Sequence, residues 1–394
     1  MKSSPVRVHC ELGPILVNRT AVFKMCRDTP GELQRRGLDV TCSALLSRVR
    51  PDNVEPANPW QQRLFDWSRR WLVWAIEDPG FFDKTRQLTK LVPHWMSAGR
   101  NVLFLDPLYS LFYGAPDNAV VIVYDITPVS DPEWHHPHVG RLYGFALDML
   151  ARSRCHIVAS CQNTADQLRV SWGIAPSRLS VLPLGLFSFP KPPAVAGHAD
   201  EPPFFLFVGA TQEMRKNVIG LIRAFERSGL HRERGIRLRI IGSHADEQHP
   251  VVALAKSTPG VDLLGFVNDA ELAAAYENCL AFVYPSFAEG FGLPLLEAMH
   301  RGCVCLSTIT GASPEVGGDA VLYVNPYDTA AIAEQLRRIA VLTPDRRRII
   351  ATAGMERSQL FTWSRFYDGL ADILITTSNS RDFHGHAHGF RAVA

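Results

Sequence analysis

Glu289 and Glu297 bracket Gly290-Phe291-Gly292-Leu293-Pro294-Leu295-Leu296, and this spacing is the first feature that could do chemistry. An ionised carboxylate only accepts hydrogen bonds, so it suits hydroxyl-rich ligands. Gly290 and Gly292 let a backbone come close to a ligand. Pro294 sits where a helix begins, and the N–H groups of Phe291, Gly292 and Leu293 at that start favour a negative group. Upstream, Arg215-Lys216-Asn217 pairs a planar fork with a compact charge, and both match phosphate oxygens. Together these groups could hold a sugar, a diphosphate and a ribose. Taken singly, each has a plainer explanation. Glu289 would be solvated, Glu297 would favour the helix dipole, and the basic pair would lie in water.

The flanking residues indicate what positions these groups. Residues 280–285 form a short apolar run and read as a buried strand. The glutamates therefore lie on a strand–loop–helix unit, at the carboxyl end of a strand where open α/β sheets bind ligands. Arg215 and Lys216 lie between a strand at 204–209 and a helix at 218–227. Further strands are expected at 6–10, 101–105, 119–123, 156–160, 179–185, 237–242, 261–267 and 304–307. Helices are expected near 21–33, 163–172 and 330–340, with a last one from 362 to 374. The continuous apolar runs at 101–105 and 119–123 suit parallel strands covered on both faces. The alternation predicts two doubly wound, Rossmann-like α/β domains facing a cleft. The proposed limits are 1–189, a proline-rich linker at 190–203, 204–360, a crossing helix at 361–376, and a disordered tail at 377–394.

The 394 residues exceed one ordinary core, and 46% hydrophobic with 20% charged residues suits a globular protein. A formal net charge of +2 carries no signature of nucleic-acid binding. No apolar run approaches the ~20 residues of a membrane helix, and the N-terminus does not read as a signal peptide. Eight cysteines without a C-x-x-C pair read as reduced and buried, in a cytoplasmic protein. Neither G-x-G-x-x-G nor G-x-x-x-x-G-K occurs where a dinucleotide or P-loop site would need it. His135, His136 and His138 lack a recognisable zinc spacing. Trp60, Leu64, Trp67, Trp71 and Trp74 recur at helical spacing among Arg63, Arg69 and Arg70. A core-facing helix is the expected reading, with an interfacial membrane helix as the alternative.

The Glu289–Glu297 block, with Ser313-Pro314-Glu315-Val316-Gly317-Gly318 after it and Arg215-Lys216-Asn217 before it, resembles the retaining glycosyltransferases of family four, which have the GT-B fold. The resemblance covers most of 118–376. It implies a nucleotide-diphosphate-sugar donor, GDP-mannose as first choice, with no metal required, and a glycan or lipid-linked glycan acceptor in surface polysaccharide synthesis. Peripheral contact at the inner face of a membrane would suit such an acceptor. By the resemblance, Arg215 and Lys216 stabilise the departing diphosphate. Glu289, with the N–H groups of Phe291 and Gly292, holds sugar hydroxyls, Glu297 holds the ribose, and the backbone at Phe266 and Val267 meets the base. Tyr124-Asp125 occupies the place of a His-Asp pair near the donor sugar and phosphate, and Ser160 lies near the cleft. Tyr124 can donate a hydrogen bond but cannot carry the charge of an imidazolium. This departure leaves an inactive sugar-nucleotide-binding subunit as an alternative, beside a nucleotide-sugar epimerase.

Overall fold

The computed structural model describes residues 5–16, 21–56, 58–77, 100–135, 137–186, 202–242 and 247–385. The expectations for His136 and most of the 190–203 linker lie outside these residues. The chain forms two compact units, one of residues 1–183 with 364–394 and one of 184–363.

The first unit runs β1 (Arg7–Glu11), α1 (Ala21–Arg35), β2 (Asp39–Ala44), β3 (Ser47–Val49), α2 (Pro59–Glu77), β4 (Asn101–Phe104), α3 (Pro107–Ser110), β5 (Ala119–Val123), α4 (Thr127–Ser130), α5 (Pro137–Arg152), β6 (His156–Ala159), α6 (Gln162–Trp172) and β7 (Leu179–Val181). The sheet order is β3-β2-β1-β4-β5-β6-β7. β2 and β3 pair antiparallel and the other neighbours pair parallel. The unbroken apolar run of β5 is wholly buried, because helices cover both faces of a parallel sheet. The winding reverses between β1 and β4. A reversal opens a crevice at the strands' carboxyl ends, since connections leave it in opposite directions.

The second unit runs β8 (Phe204–Val208), α7 (Val218–Ser228), α8 (Leu230–Arg234), β9 (Arg237–Ile241), α9 (Pro250–Ser257), β10 (Val261–Gly265), α10 (Asp269–Asn278), β11 (Ala281–Val283), α11 (Leu293–His300), β12 (Cys305–Thr308), α12 (Ser313–Gly317), β13 (Leu322–Val324), α13 (Thr329–Ala340) and α14 (Pro344–Ser358). Its sheet is parallel throughout, in the order β10-β9-β8-β11-β12-β13, so the winding reverses between β8 and β11. α7 shows why these helices dock. Leu221, Ile222 and Phe225 are buried while Arg223 and Arg227 face outward, and Gly229 ends the helix at a left-handed φ of 71°. Each of those buried side chains stabilises by about 1.5–3 kcal/mol relative to exposure.

The last helix, α15 (Trp363–Gly385), returns to the first unit. Asp368 accepts from Arg36 at 2.8 Å, Tyr367 meets Thr29 at 3.3 Å, and the Leu374 carbonyl accepts from Asn101 at 2.7 Å. It runs to Gly385 rather than stopping at Leu374. Residues 375–384 contain neither proline nor glycine to end it, so the part of the expected tail up to 385 is helical.

The expectation for α2 needs a correction. Its inner face carries Ser68 and Leu72, with Trp71 edge-on to Phe112 at 5.4 Å. Trp60, Trp67 and Trp74 are exposed by 62%, 49% and 49% and do not face the core. The tryptophans form one stripe, with Trp71 stacked on Trp67 at 6.4 Å, and that stripe lies at the edge of the buried face, so Trp71 reaches inward to Phe112 while the other three stay exposed.

Candidate functional site

The crevice of the second unit is where the chemistry-bearing residues gather. Arg215 and Lys216 come from the turn after β8, and Glu289 from the loop after β11, on either side of the reversal. Glu289 Oε2 accepts from Arg215 Nη1 at 2.9 Å, and its two oxygens accept from Lys216 Nζ at 2.8 and 3.0 Å. The lysine also donates to the Tyr284 hydroxyl. Arg215 spreads its other arm to Glu213 at 2.8 Å. Asn217 adopts a left-handed φ of 54° and ties the turn to the Pro285 and Pro326 carbonyls at 3.0 and 2.8 Å. The Arg215 carbonyl accepts from the N–H of Phe287 at 2.8 Å, which joins the two loops directly.

Glu289 and Lys216 are 5% and 7% exposed, so the plain reading of a solvated glutamate and a solvated basic pair is overturned. Burial alone would raise the Glu289 carboxyl, but the charges of Lys216 and Arg215 outweigh it and hold the group at about 2. Burial lowers Lys216, opposed mainly by Glu289. Arg215 and Lys216 are matched by the buried Glu289 and the more exposed Glu213, so the cluster as a whole is close to neutral. The two cations hold Glu289 ionised, ready to accept from hydroxyls.

The loop then enters α11. Gly292 sits at the N-cap with a left-handed φ of 91°, which a side chain would strain. Gly290 and Phe291 are buried, and Phe291 packs edge-on against Phe361 at 5.8 Å. Leu293 starts the helix, and its N–H and those just before it have no acceptor within the helix. The Ala312 N–H donates to the Glu289 carbonyl at 3.1 Å, and a Cβ on Gly311 would come within 2.8 Å of the Glu289 nitrogen. The loop holding Glu289 is therefore clamped from the β12–α12 side as well. Glu297 is half-buried in the first turns of α11 and accepts from the Tyr276 hydroxyl at 3.2 Å. Val267 lines a separate cleft of about 450 Å³ with Phe204, Arg239, Ile241, Leu264 and Glu271. Phe266 beside it is 81% exposed.

Tyr124 and Asp125 belong to the first unit, at the carboxyl end of β5. The buried Tyr124 hydroxyl has no hydrogen-bond partner. The Tyr124 carbonyl accepts from Ser160 Oγ at 2.5 Å. Asp125 accepts from the Thr127 N–H at 3.1 Å and its hydroxyl at 3.0 Å, an Asx-type turn that starts α4. His135 meets the Thr127 hydroxyl at 3.0 Å. Among the described residues no three His, Cys, Asp or Glu side chains gather as a group that could hold a metal.

Two carboxyls in the first crevice escaped the sequence reading. Glu11 ends β1 and accepts from Ser43 Oγ at 2.6 Å, from the Leu45 N–H at 2.8 Å and from the Tyr113 hydroxyl. Burial pushes it up to about 7 against those hydrogen bonds. Asp106 follows β4, accepts from Tyr143 at 2.6 Å and caps α3 through the Leu108 N–H at 2.8 Å. Burial pushes it to about 6. A charged residue ending an apolar strand was the available signal. In sequence, such a residue looks like the ordinary polar start of a loop.

Residues 189–354 match the family model described as Glycosyl transferases group 1. The match covers less than half of the chain. The O-antigen chain mannosyltransferase B of Escherichia coli is 37% identical over 166 residues, covering 41% of this chain and 42% of that protein. The chain thus spans less than half the length of that relative. Among solved structures, sucrose-phosphate synthase from Thermosynechococcus elongatus superposes with a TM-score of 0.68 at 18% identity, over 96% of this chain and all of that one. WaaG, a glycosyltransferase involved in lipopolysaccharide biosynthesis, gives 0.63 at 13% identity, over 94% and 99%. At those identities the likeness shows the fold, which is the GT-B fold of two Rossmann-like units.

Proposed function

We propose that this protein is a retaining glycosyltransferase that moves a hexose from a nucleotide-diphosphate sugar to a hydroxyl of a glycan or lipid-linked glycan. The observation that carries this reading is the buried Glu289 held between Arg215 and Lys216 where the second sheet reverses its winding. An incoming diphosphate would compete with Glu213 for the outer arm of Arg215, and the N–H groups opening α11 would add to its binding. Glu289 and the Phe291 and Gly292 N–H groups would orient the sugar, and Glu297 the ribose. The bond from the anomeric carbon to the diphosphate breaks, and the bond to the acceptor oxygen forms on the same face. The acceptor proton passes to the departing phosphate oxygen. The chain's own charges serve the leaving group, so no metal is assigned a role.

Mannose carried by GDP is the first donor, supported by the mannosyltransferase relative. Assembly of a surface polysaccharide from the cytoplasmic side is the setting. The test is thermal stabilisation by GDP-, UDP- and dTDP-sugars, followed by product analysis with donor alone and with candidate acceptors. A ligand bound only by the folded state raises the melting temperature. The proposal expects a shift with one nucleotide class and transfer to an acceptor. Turnover of donor alone would replace it with an epimerase. Binding without any turnover would replace it with a sugar-nucleotide-binding subunit, which the unpartnered Tyr124 hydroxyl at the family's histidine position would then explain.

A further inference from the structure

Two thiols meet where two helices of the second unit end. Cys279 follows α10 and Cys303 lies just past α11, and each leads into one of the paired strands β11 and β12. Their sulfurs are 3.8 Å apart. Cys303 donates to the Tyr276 carbonyl at 2.9 Å, and Cys279 Sγ lies 3.3 Å from the same oxygen. That carbonyl is among the last four of α10, which have no partner within a helix. The Leu280 N–H that would continue the ladder donates to the Phe204 carbonyl at 2.7 Å instead. The thiols therefore serve the helix end, which is why both turn to one point. The Tyr276 hydroxyl donates to Glu297 at 3.2 Å, so the same residue joins α10 to α11 a second time. The two thiols differ in access. The other cysteines are buried, but Cys279 is half-buried. Arg347 donates to the carbonyl of the next residue, Leu280. Burial lowers the Arg347 guanidinium and the neighbouring Cys279 opposes it. A cation beside a partly exposed thiol is the setting in which cysteines react. The hydrogen bond with Cys279, and then burial, push the Cys303 thiol up, so it keeps its proton. Cys10 and Cys42 also sit opposite one another, on β1 and β2, but both are buried in the sheet.

We infer that Cys279 and Cys303 are a dithiol that hydrogen peroxide oxidises reversibly to a disulfide, stapling the end of α10 to the end of α11. The Cys279 thiolate attacks one peroxide oxygen, the O–O bond breaks, and a sulfenic acid forms as hydroxide leaves. The Cys303 sulfur then attacks the sulfenic sulfur. The S–S bond forms, the S–O bond breaks, and the hydroxyl leaves with the Cys303 proton as water. The pair gives up two hydrogens and two electrons, and the peroxide is reduced to water. Closing the 3.8 Å gap to a bond of about 2.05 Å asks a shift of about 2 Å. The bond takes both S–H donors from the Tyr276 carbonyl, and a dithiol reductant restores them by exchange. A metal is a poorer occupant, because among the described residues no group of three His, Cys, Asp or Glu side chains could hold one. The inference does not depend on the sugar-transfer reading.

The experiment treats the reduced full chain with hydrogen peroxide, with and without dimedone, and reads intact mass and tryptic peptides. The wild type should lose two hydrogens, gain a cross-link between the peptides carrying Cys279 and Cys303, and recover both thiols on adding dithiothreitol. Cys303→Ala should stop at a Cys279 sulfenic acid that dimedone traps. Cys279→Ala should give neither the adduct nor the cross-link. Cys303 and Cys305 share a tryptic peptide, so Cys305→Ala is the second check, and it should cross-link like the wild type whether or not Cys303→Ala folds. A cross-link that survives Cys303→Ala, or that Cys305→Ala abolishes, would assign the bond to Cys305 and overturn the pairing. A disulfide between two chains in place of one within a chain would overturn it as well. So would a wild type that forms no cross-link at peroxide levels that oxidise the exposed Met214.

Discussion

Both sheets place a buried carboxyl at the carboxyl end of strands where the winding reverses, and the two environments drive it in opposite directions. In the second unit Glu289 is surrounded by Lys216 and Arg215 and is held at about 2. In the first unit Glu11 is surrounded by hydroxyls and backbone N–H groups and rises to about 7, with Asp106 across the reversal at about 6. Burial acts alike on all three. The difference is whether a cation lies within hydrogen-bond reach. One crevice therefore holds a fixed-charge cluster whose carboxylate stays ionised. The other is a set of carboxyls near their protonation midpoint, suited to neutral, hydroxyl-bearing partners.

The comparison is broken most forcefully at Glu289. Glu289→Ala leaves Lys216 buried without its carboxylate, and should cost about 3–5 kcal/mol in urea unfolding. A loss within experimental error would show that the cluster is solvated. Next is the opposite pH dependence of the two crevices. Glu289 is lowered from 4.5 to about 2, so its stabilisation is present above 4.5 and lost as pH falls toward 2. Glu11 is raised from 4.5 to about 7, so its contribution is full below 4.5 and lost as pH rises through 7. Glu11→Gln should remove about 3 kcal/mol of the stability change between acid and neutral pH, read from unfolding curves at the two limits. An unchanged profile would place Glu11 in contact with water.

Smaller effects sharpen the functional side. Glu297→Ala should weaken nucleotide binding about tenfold, near 1.4 kcal/mol, with little loss of stability. Unchanged affinity by calorimetry would remove its assignment to the ribose. Gly292→Ala should destabilise by about 1–2 kcal/mol, because a Cβ is strained at its φ of 91°.

Much of the second unit was legible because its information is local. A strand, a glycine loop and a proline at a helix start are contiguous in 280–300, and Arg215-Lys216-Asn217 is one short turn. Legibility stopped wherever the deciding contact came from far along the chain. The protonation of Glu11 depends on its burial, opposed by Ser43 and Tyr113, which a neighbouring strand and a later turn bring to it. The tryptophans of α2 were visible, but which of them faces the core depends on where β3 and Phe112 lie, so a periodicity alone assigned them all inward. Likewise α15 was expected to end where its apolar pattern fades, while its backbone continues until a glycine is met.

The residue order by itself determined the alternating strands and helices and the identity of the charged groups at the carboxyl ends of β8 and β11, because propensity, apolar patterning and turn chemistry act between near neighbours. Tertiary structure alone decided which of those groups became a buried ion cluster, which carboxyls kept a proton and which face of α2 stayed in water. Each depends on desolvation and on partners tens to hundreds of residues away, and neither is encoded in any one stretch of the chain.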